Sequence, residues 1–171
     1  VNIEFKARCK ELTRIRKILK KEVADYRGRD YQTDIYFNTP NGRLKLRKGE
    51  IENNLIGYKR EDNVKAKQSK VMLFKTEPGM PLEEILTATL GVKIIVRKQR
   101  DTYFIKNVKF HLDEVEDLGS FVEVEAIDID GTIGKNKLQE QCNYYKNLFE
   151  IRYSDLIALS YSDLLIQAQL K

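Results

Sequence analysis

Residues 32–47 read QTDIYFNTPNGRLKLR, and two features of that stretch decide what kind of fold this chain builds. Asn41-Gly42 supplies the positive φ that a tight hairpin turn needs, between flanks with strand character. In the second flank Arg43, Lys45 and Arg47 occupy every other position, with Leu44 and Leu46 between them. A strand sends successive side chains to opposite faces, so the three cations stand in a row about 6–7 Å apart. The stretch predicts an antiparallel hairpin with one apolar face and one cationic face. What the cationic face meets is the question it raises.

The same alternation extends in both directions. Residues 2–8 place Ile3, Phe5 and Ala7 on one face and Asn2, Glu4, Lys6 and Arg8 on the other, which predicts a strand. Over residues 11–27, Leu12, Ile15, Leu19, Val23 and Tyr26 recur at three- and four-residue steps, predicting an amphipathic helix ended by Gly28. Further strands are predicted at 31–37, 43–48, 54–61 and 69–76, at 93–105 with a bend in its middle, and at 108–115 and 121–129. A helix over 82–90 begins after Pro81 and stops at Gly91. Two more helices are expected over 133–149 and 154–169, with Ser154 as N-cap of the second. About eight mostly sequential strands with four helices is an α+β pattern. With no internal repeat and no linker, residues 1–171 are expected to form one domain.

Composition narrows the class. With 42% hydrophobic and 33% charged residues, the chain is a folded soluble protein with a highly charged surface. No apolar run approaches the roughly 18–20 residues of a membrane span. The opening VNIEFKARCK lacks the pattern of a secretory leader, and Cys9 and Cys142 lack zinc-ligand spacing. Two unpaired thiols in the reducing cytoplasm are the expectation. The net charge of +5 permits an anionic partner without demanding nucleic acid.

The distribution of charge says more than its sum. Glu4 and Lys6 share a strand face, as do Lys45 and Arg47, Lys98 and Arg100, and Glu123 and Glu125, with Asp113 in HLDEVEDLG just ahead. A one-sided sheet solvated on its charged face explains any single strand. Taken together, cations gather on some strands and carboxylates on others, an arrangement that repels itself unless something balances it. Eight antiparallel strands suffice to close a barrel. With helices packed outside, such a barrel turns its charged faces inward. Arg and Lys suit phosphate oxygens, and carboxylates suit Mg²⁺ or Mn²⁺. The chain lacks a G-x-x-x-x-G-K-[ST] loop, so side chains must do what P-loop amides do elsewhere.

The segments NIEFKAR (2–8), QTDIYFNTPNGRLKLR (32–47), LIGYKRED (55–62), VRKQRDTYF (96–104) and HLDEVEDLGSFVEVEA (111–126) together resemble the CYTH superfamily. That superfamily includes class IV adenylate cyclases and thiamine triphosphatases and is related to RNA and inorganic triphosphatases. The resemblance implies a closed or nearly closed eight-stranded antiparallel barrel, a triphosphate tunnel. It implies Glu4, Glu123 and Glu125 as metal ligands, helped by Asp113. It implies Lys6, Lys45, Arg47, Lys59, Lys98 and Arg100 as holders of the phosphate chain, with Arg43 and Arg60 as additional contacts. Mg²⁺ or Mn²⁺ is the implied cofactor and ATP the foremost substrate. The chain departs from the family's E-x-E-x-K signature at Asn2, which offers an amide oxygen and no charge.

Three functions follow from that resemblance. The first is a class IV adenylate cyclase-like reaction on ATP, the second hydrolysis of an organic or inorganic triphosphate, and the third a tunnel that binds polyphosphate or nucleotide without turnover. A membrane or nucleic-acid partner is not expected; a homodimer is allowed. His111 is read as structural or supporting, because phosphate chemistry needs no imidazole. Tyr36, Tyr58 and Tyr103 are read as packing residues on strands, and Gly119 as a turn residue. The run KREDNVKAKQSK (59–70) is read as a solvated loop from which Lys67 and Ser69 could reach a ligand.

Overall fold

The computed structural model describes residues 1–59 and 70–170. Its strands are β1 (Asn2–Arg8), β2 (Asp25–Phe37), β3 (Arg43–Lys48), β4 (Asn54–Lys59), β5 (Lys70–Lys75), β6 (Val92–Ile105), β7 (Val108–Val115) and β8 (Gly119–Ile127). The helices are α1 (Leu12–Lys21), α2 (Leu82–Leu90), α3 (Lys135–Leu148) and α4 (Tyr161–Gln169), with a 3₁₀ turn at Tyr153–Asp155. The strands form one antiparallel sheet in the order β1-β8-β7-β6-β2-β3-β4-β5, so the α+β expectation holds. The barrel is not closed among the described residues, because β1 and β5 end that order. The open edge of β1 is covered instead by a later segment: Ile157 N–H donates to Lys6 C=O at 2.8 Å, and Ala7 bridges Leu156. An edge satisfied in this way has few groups left to offer another strand. No helix among the described residues is long and apolar enough to cross a membrane.

The chain divides into two compact units, with β2 and β6 contributing residues to both. The first comprises residues 1–29, 100–115 and 119–158. In it the apolar face of β1, β8 and β7 (Ala7, Val122, Val124, Phe110, Leu112) packs on Ile15 and Leu19 of α1, on Leu138 of α3 and on Phe149 at the C-cap of α3. The Phe110 ring meets Tyr145 edge-on at 4.7 Å and Phe149 at 5.9 Å. Each of these large apolar side chains contributes about 1.5–3 kcal/mol by leaving water. That core holds the opposite, charged face of the three strands rigid.

The helix expected over 11–27 stops early. Val23 adopts a left-handed φ of 57°, and the chain enters β2 at Asp25. Tertiary contacts override the helical spacing of Tyr26. Its ring lies 4.8 Å from Tyr103, and its hydroxyl donates to buried Asp101, which also accepts two bonds from Arg29 and one from Arg16.

The second unit comprises residues 30–99, 116–118 and the segment from 159 onward. The opening hairpin is β2–β3, with Thr33 opposite Lys48 through to Phe37 opposite Leu44. Its apolar face (Ile35, Phe37, Leu44, Leu46) packs with Leu55 against Leu82, Leu86 and Leu90 of α2. Gly42 has φ +70°, and a Cβ there would meet the Tyr58 carbonyl at 2.9 Å, so the turn accepts only glycine without strain. The N-cap of the second C-terminal helix lies six residues later than expected. Ser160, rather than Ser154, is its N-cap, accepting from Asp163 N–H at 3.2 Å while the Asp163 carboxylate reaches back to Ser160. This is a capping box, with Asp in the place usually taken by Glu.

Candidate functional site

The charged face of the first unit is a checkerboard across three strands. The register aligns Glu4, Glu125 and Lys109 in one row, and Lys6, Glu123 and His111 in the next. Lys109 pairs with Glu125, which also accepts from the Asn2 amide at 2.7 Å. Glu123 lies 3.9 Å from Lys6 Nζ and 3.8 Å from Arg100 Nη2. Arg100 is anchored by Asp113, donating from Nε at 2.7 Å and from Nη2 at 2.6 Å to its two oxygens. Asp113 is fully buried.

Electrostatics separates the carboxyls. Glu4 keeps exposed surface, yet partial loss of water raises its carboxyl above the ordinary value, and Glu123 and Glu125 raise it further. Burial pushes Glu123 the same way, but Lys6 and Arg100 outweigh it and hold Glu123 below the usual range. The result is a concentration of hard oxygen donors whose negative charge is only partly balanced. That donor chemistry fits Mg²⁺ or Mn²⁺. Among the described residues no three His, Cys, Asp or Glu side chains are already gathered as a coordination cage. The fit is one of chemistry, with Lys109, Lys6 and Asn2 sharing the same oxygens.

The charged face of the second unit is organised around one carboxylate. Asp34 lies opposite Arg47 in the hairpin register and accepts from Arg47 Nε at 2.8 Å and Nη2 at 2.9 Å. It also accepts from Lys98 Nζ at 2.9 Å and, more loosely, from Lys45 Nζ at 3.4 Å. Burial raises the Asp34 carboxyl, but Lys45, Lys98 and Arg47 together hold it well below the carboxylate range. Arg47 additionally donates to Glu52 at 2.8 Å. Lys45 sits beside two tyrosines, 5.4 Å from the Tyr36 ring centre and 6.0 Å from that of Tyr58. Burial first and Asp34 second push the Tyr36 hydroxyl up to about 12, so it remains a phenol.

The predicted site residues therefore fall into two groups. Glu4, Lys6, Arg100, Asp113, Glu123 and Glu125 come together in the first unit, and Lys45, Arg47 and Lys98 in the second. Arg43 donates to Ser160 Oγ at 2.8 Å and Asp163 at 3.0 Å. Lys59 follows Tyr58 on β4, so alternation places it on the face of Gly57 and Leu55, away from Lys45. Arg60, Lys67 and Ser69 lie outside the described residues. The reading of the sequence missed Asp34, Lys109 and Glu52. Asp34 had a usable signal: it is two residues before Tyr36 and opposite Arg47 once the Asn41-Gly42 turn fixes the register.

Comparison with known proteins agrees with this architecture. The family model described as the CYTH domain matches residues 1–155. A Methanocaldococcus jannaschii protein named as a candidate adenylate cyclase is 26% identical over 175 residues, spanning 96% of this chain and 98% of that one. The solved structure of the PH1012 protein from Pyrococcus horikoshii superposes with a TM-score of 0.81 at 22% identity, covering 96% of this chain and 99% of that one. A candidate adenylate cyclase from Vibrio parahaemolyticus gives a TM-score of 0.76 at 18% identity, covering 96% and 97%. The chain belongs to the CYTH domain family.

Proposed function

We propose that this protein is a divalent-metal-dependent enzyme acting on an organic triphosphate, and that its reaction is of the class IV adenylate cyclase type. The observation that carries the reading is the checkerboard of Glu4, Glu123 and Glu125 against Lys6, Lys109 and Arg100, which concentrates hard oxygen donors beside cations. In this reading Glu4, Glu123 and Glu125 hold the metal, and Asp113 serves by fixing Arg100. A divalent ion held by those three carboxylates would supply positive charge to offset the charge developing on the phosphate oxygens. Lys6 and Arg100 in the first unit stabilise negative charge on phosphate through fixed donors, and Lys45, Arg47 and Lys98 in the second unit are phosphate-binding cations by the same chemistry. The 3′-hydroxyl of ATP gives up its proton to solvent as its oxygen bonds to the α-phosphorus, the bond from that phosphorus to the bridging oxygen breaks, and pyrophosphate leaves. The name of the Methanocaldococcus relative, matched over nearly its whole length, favours this outcome over attack of water on the γ-phosphorus.

The test is one assay with ATP, GTP, thiamine triphosphate and tripolyphosphate, each with Mg²⁺ or Mn²⁺, following cyclic nucleotide, pyrophosphate and phosphate separately. Cyclic AMP with stoichiometric pyrophosphate is the expected result. Phosphate release without cyclic nucleotide makes the protein a triphosphatase. Absence of every product refutes the catalytic reading and leaves a binding protein.

A further inference from the structure

Three cations assigned to phosphate already share one internal anion. Asp34 is buried, and its contacts are graded: two bonds from Arg47 at 2.8 and 2.9 Å, one from Lys98 at 2.9 Å, and one from Lys45 at 3.4 Å. Lys45 is also the most exposed of the three side chains, at 14% against 10% for Arg47 and 1% for Lys98. Arg47 is tied again by Glu52, whereas Lys45 adds to Asp34, among the described residues, a hydrogen bond of 3.5 Å to the Tyr36 hydroxyl. Short charge-assisted bonds at full burial hold a side chain in one geometry; a long bond at the margin is easily exchanged.

We propose that Asp34 is a positioning residue: a built-in counter-anion that locks Arg47 and Lys98 in place and yields Lys45 to the incoming phosphate. The proposal rests on reading these cations as phosphate ligands. Asp34 keeps the cluster assembled before any ligand arrives, so binding does not have to gather three mutually repelling side chains. It also lowers the net positive charge of the cluster, which weakens its hold on anions in general. A phosphate oxygen can replace the weakest of its bonds at small loss.

The experiment is thermal unfolding of wild type, Asp34→Asn and Lys45→Met, with and without sodium tripolyphosphate at matched ionic strength and without divalent ions. Removing the Asp34 charge takes away the anion that buried Arg47 and Lys98 share, and Asp34→Asn should melt on the order of 10 °C below wild type. Tripolyphosphate should then raise its melting temperature at least twice as much as it raises that of wild type, because the ligand supplies the missing anion. Lys45→Met should melt within a few degrees of wild type and lose most of the tripolyphosphate gain. Equal gains in Asp34→Asn and wild type overturn the positioning role while leaving the phosphate reading intact. Absence of any gain in wild type overturns both. Should Asp34→Asn not fold, Lys45→Met and Lys98→Met decide the matter. Loss of ligand gain in the first and loss of melting temperature in the second support the proposal; the reverse assignment overturns it.

Discussion

Replacing Asp113 by Asn separates an organising carboxylate from a metal ligand. Asp113 is fully buried and receives two bonds of 2.7 and 2.6 Å from Arg100, itself buried. Asn retains one acceptor oxygen, turns an N–H₂ toward the guanidinium and removes the charge. Breaking a buried ion pair from one side costs about 3–5 kcal/mol, since the surviving charge stays buried. Glu123 Oε2, 3.8 Å from Arg100 Nη2, takes up part of that charge, so the low end of the range applies. At 2–4 °C for each kcal/mol in a chain of this size, the melting temperature should fall by about 6–12 °C. Urea unfolding followed by circular dichroism measures the loss directly. Because both Asp113 oxygens are used by Arg100, the Mg²⁺ concentration needed for half-maximal turnover should not change. A stability loss below about 1 kcal/mol refutes the ion-pair reasoning. A rise in the Mg²⁺ requirement matching that of Glu125→Gln makes Asp113 a metal ligand after all.

Other outcomes follow from the same geometry. Glu123→Gln combined with Glu125→Gln should abolish metal-dependent turnover while leaving the circular dichroism spectrum in place; undiminished turnover removes these residues from the site. Acid stability should carry the signature of Asp34. Its folded carboxyl titrates well below 3.8, so its contribution is complete above that pH and is lost as pH falls through the folded value. The wild-type urea midpoint should therefore drop more steeply below about pH 4 than that of Asp34→Asn, and parallel curves would contradict the shift. Ser160→Ala should cost about 1 kcal/mol through loss of the α4 cap, read as a lower melting temperature.

How far the sequence reaches depends on whether the decisive contact is local. The β2–β3 hairpin was legible because Asn41-Gly42 fixes the turn, and alternation then assigns both faces. Helix α2 was legible because Pro81 and Gly91 bracket it. Residues 22–29 were not, since Val23 and Tyr26 keep helical spacing while Asp101 and Tyr103, far along the chain, draw the segment into a strand. Ser154 and Ser160 are both plausible caps by composition. Only Ser160 has an acid three residues on whose carboxylate also engages Arg43. In the candidate site, alternation located the charges correctly on strands. Pairing across strands, which gives Asp34 three cations and Asp113 one arginine, follows from register and burial that no short window contains.

The pairing of β1 also sets a timetable. Asn2 pairs with Ile127 and Arg8 with Phe121, and Lys6 accepts from Ile157. A chain synthesised at about 5–20 residues per second holds Ile3, Phe5 and Ala7 without their final partners for at least roughly six seconds. Such distant pairing makes folding of the first unit slow and places it after translation has passed α3 and Ile157. Glu4, Lys6 and Arg8, alternating with the apolar positions, keep the waiting strand hydrated. Ribosome-bound chains arrested before residue 119 should thus leave the strand open to protease, with protection appearing only once residues beyond 157 have emerged. Early protection would place the pairing order in error.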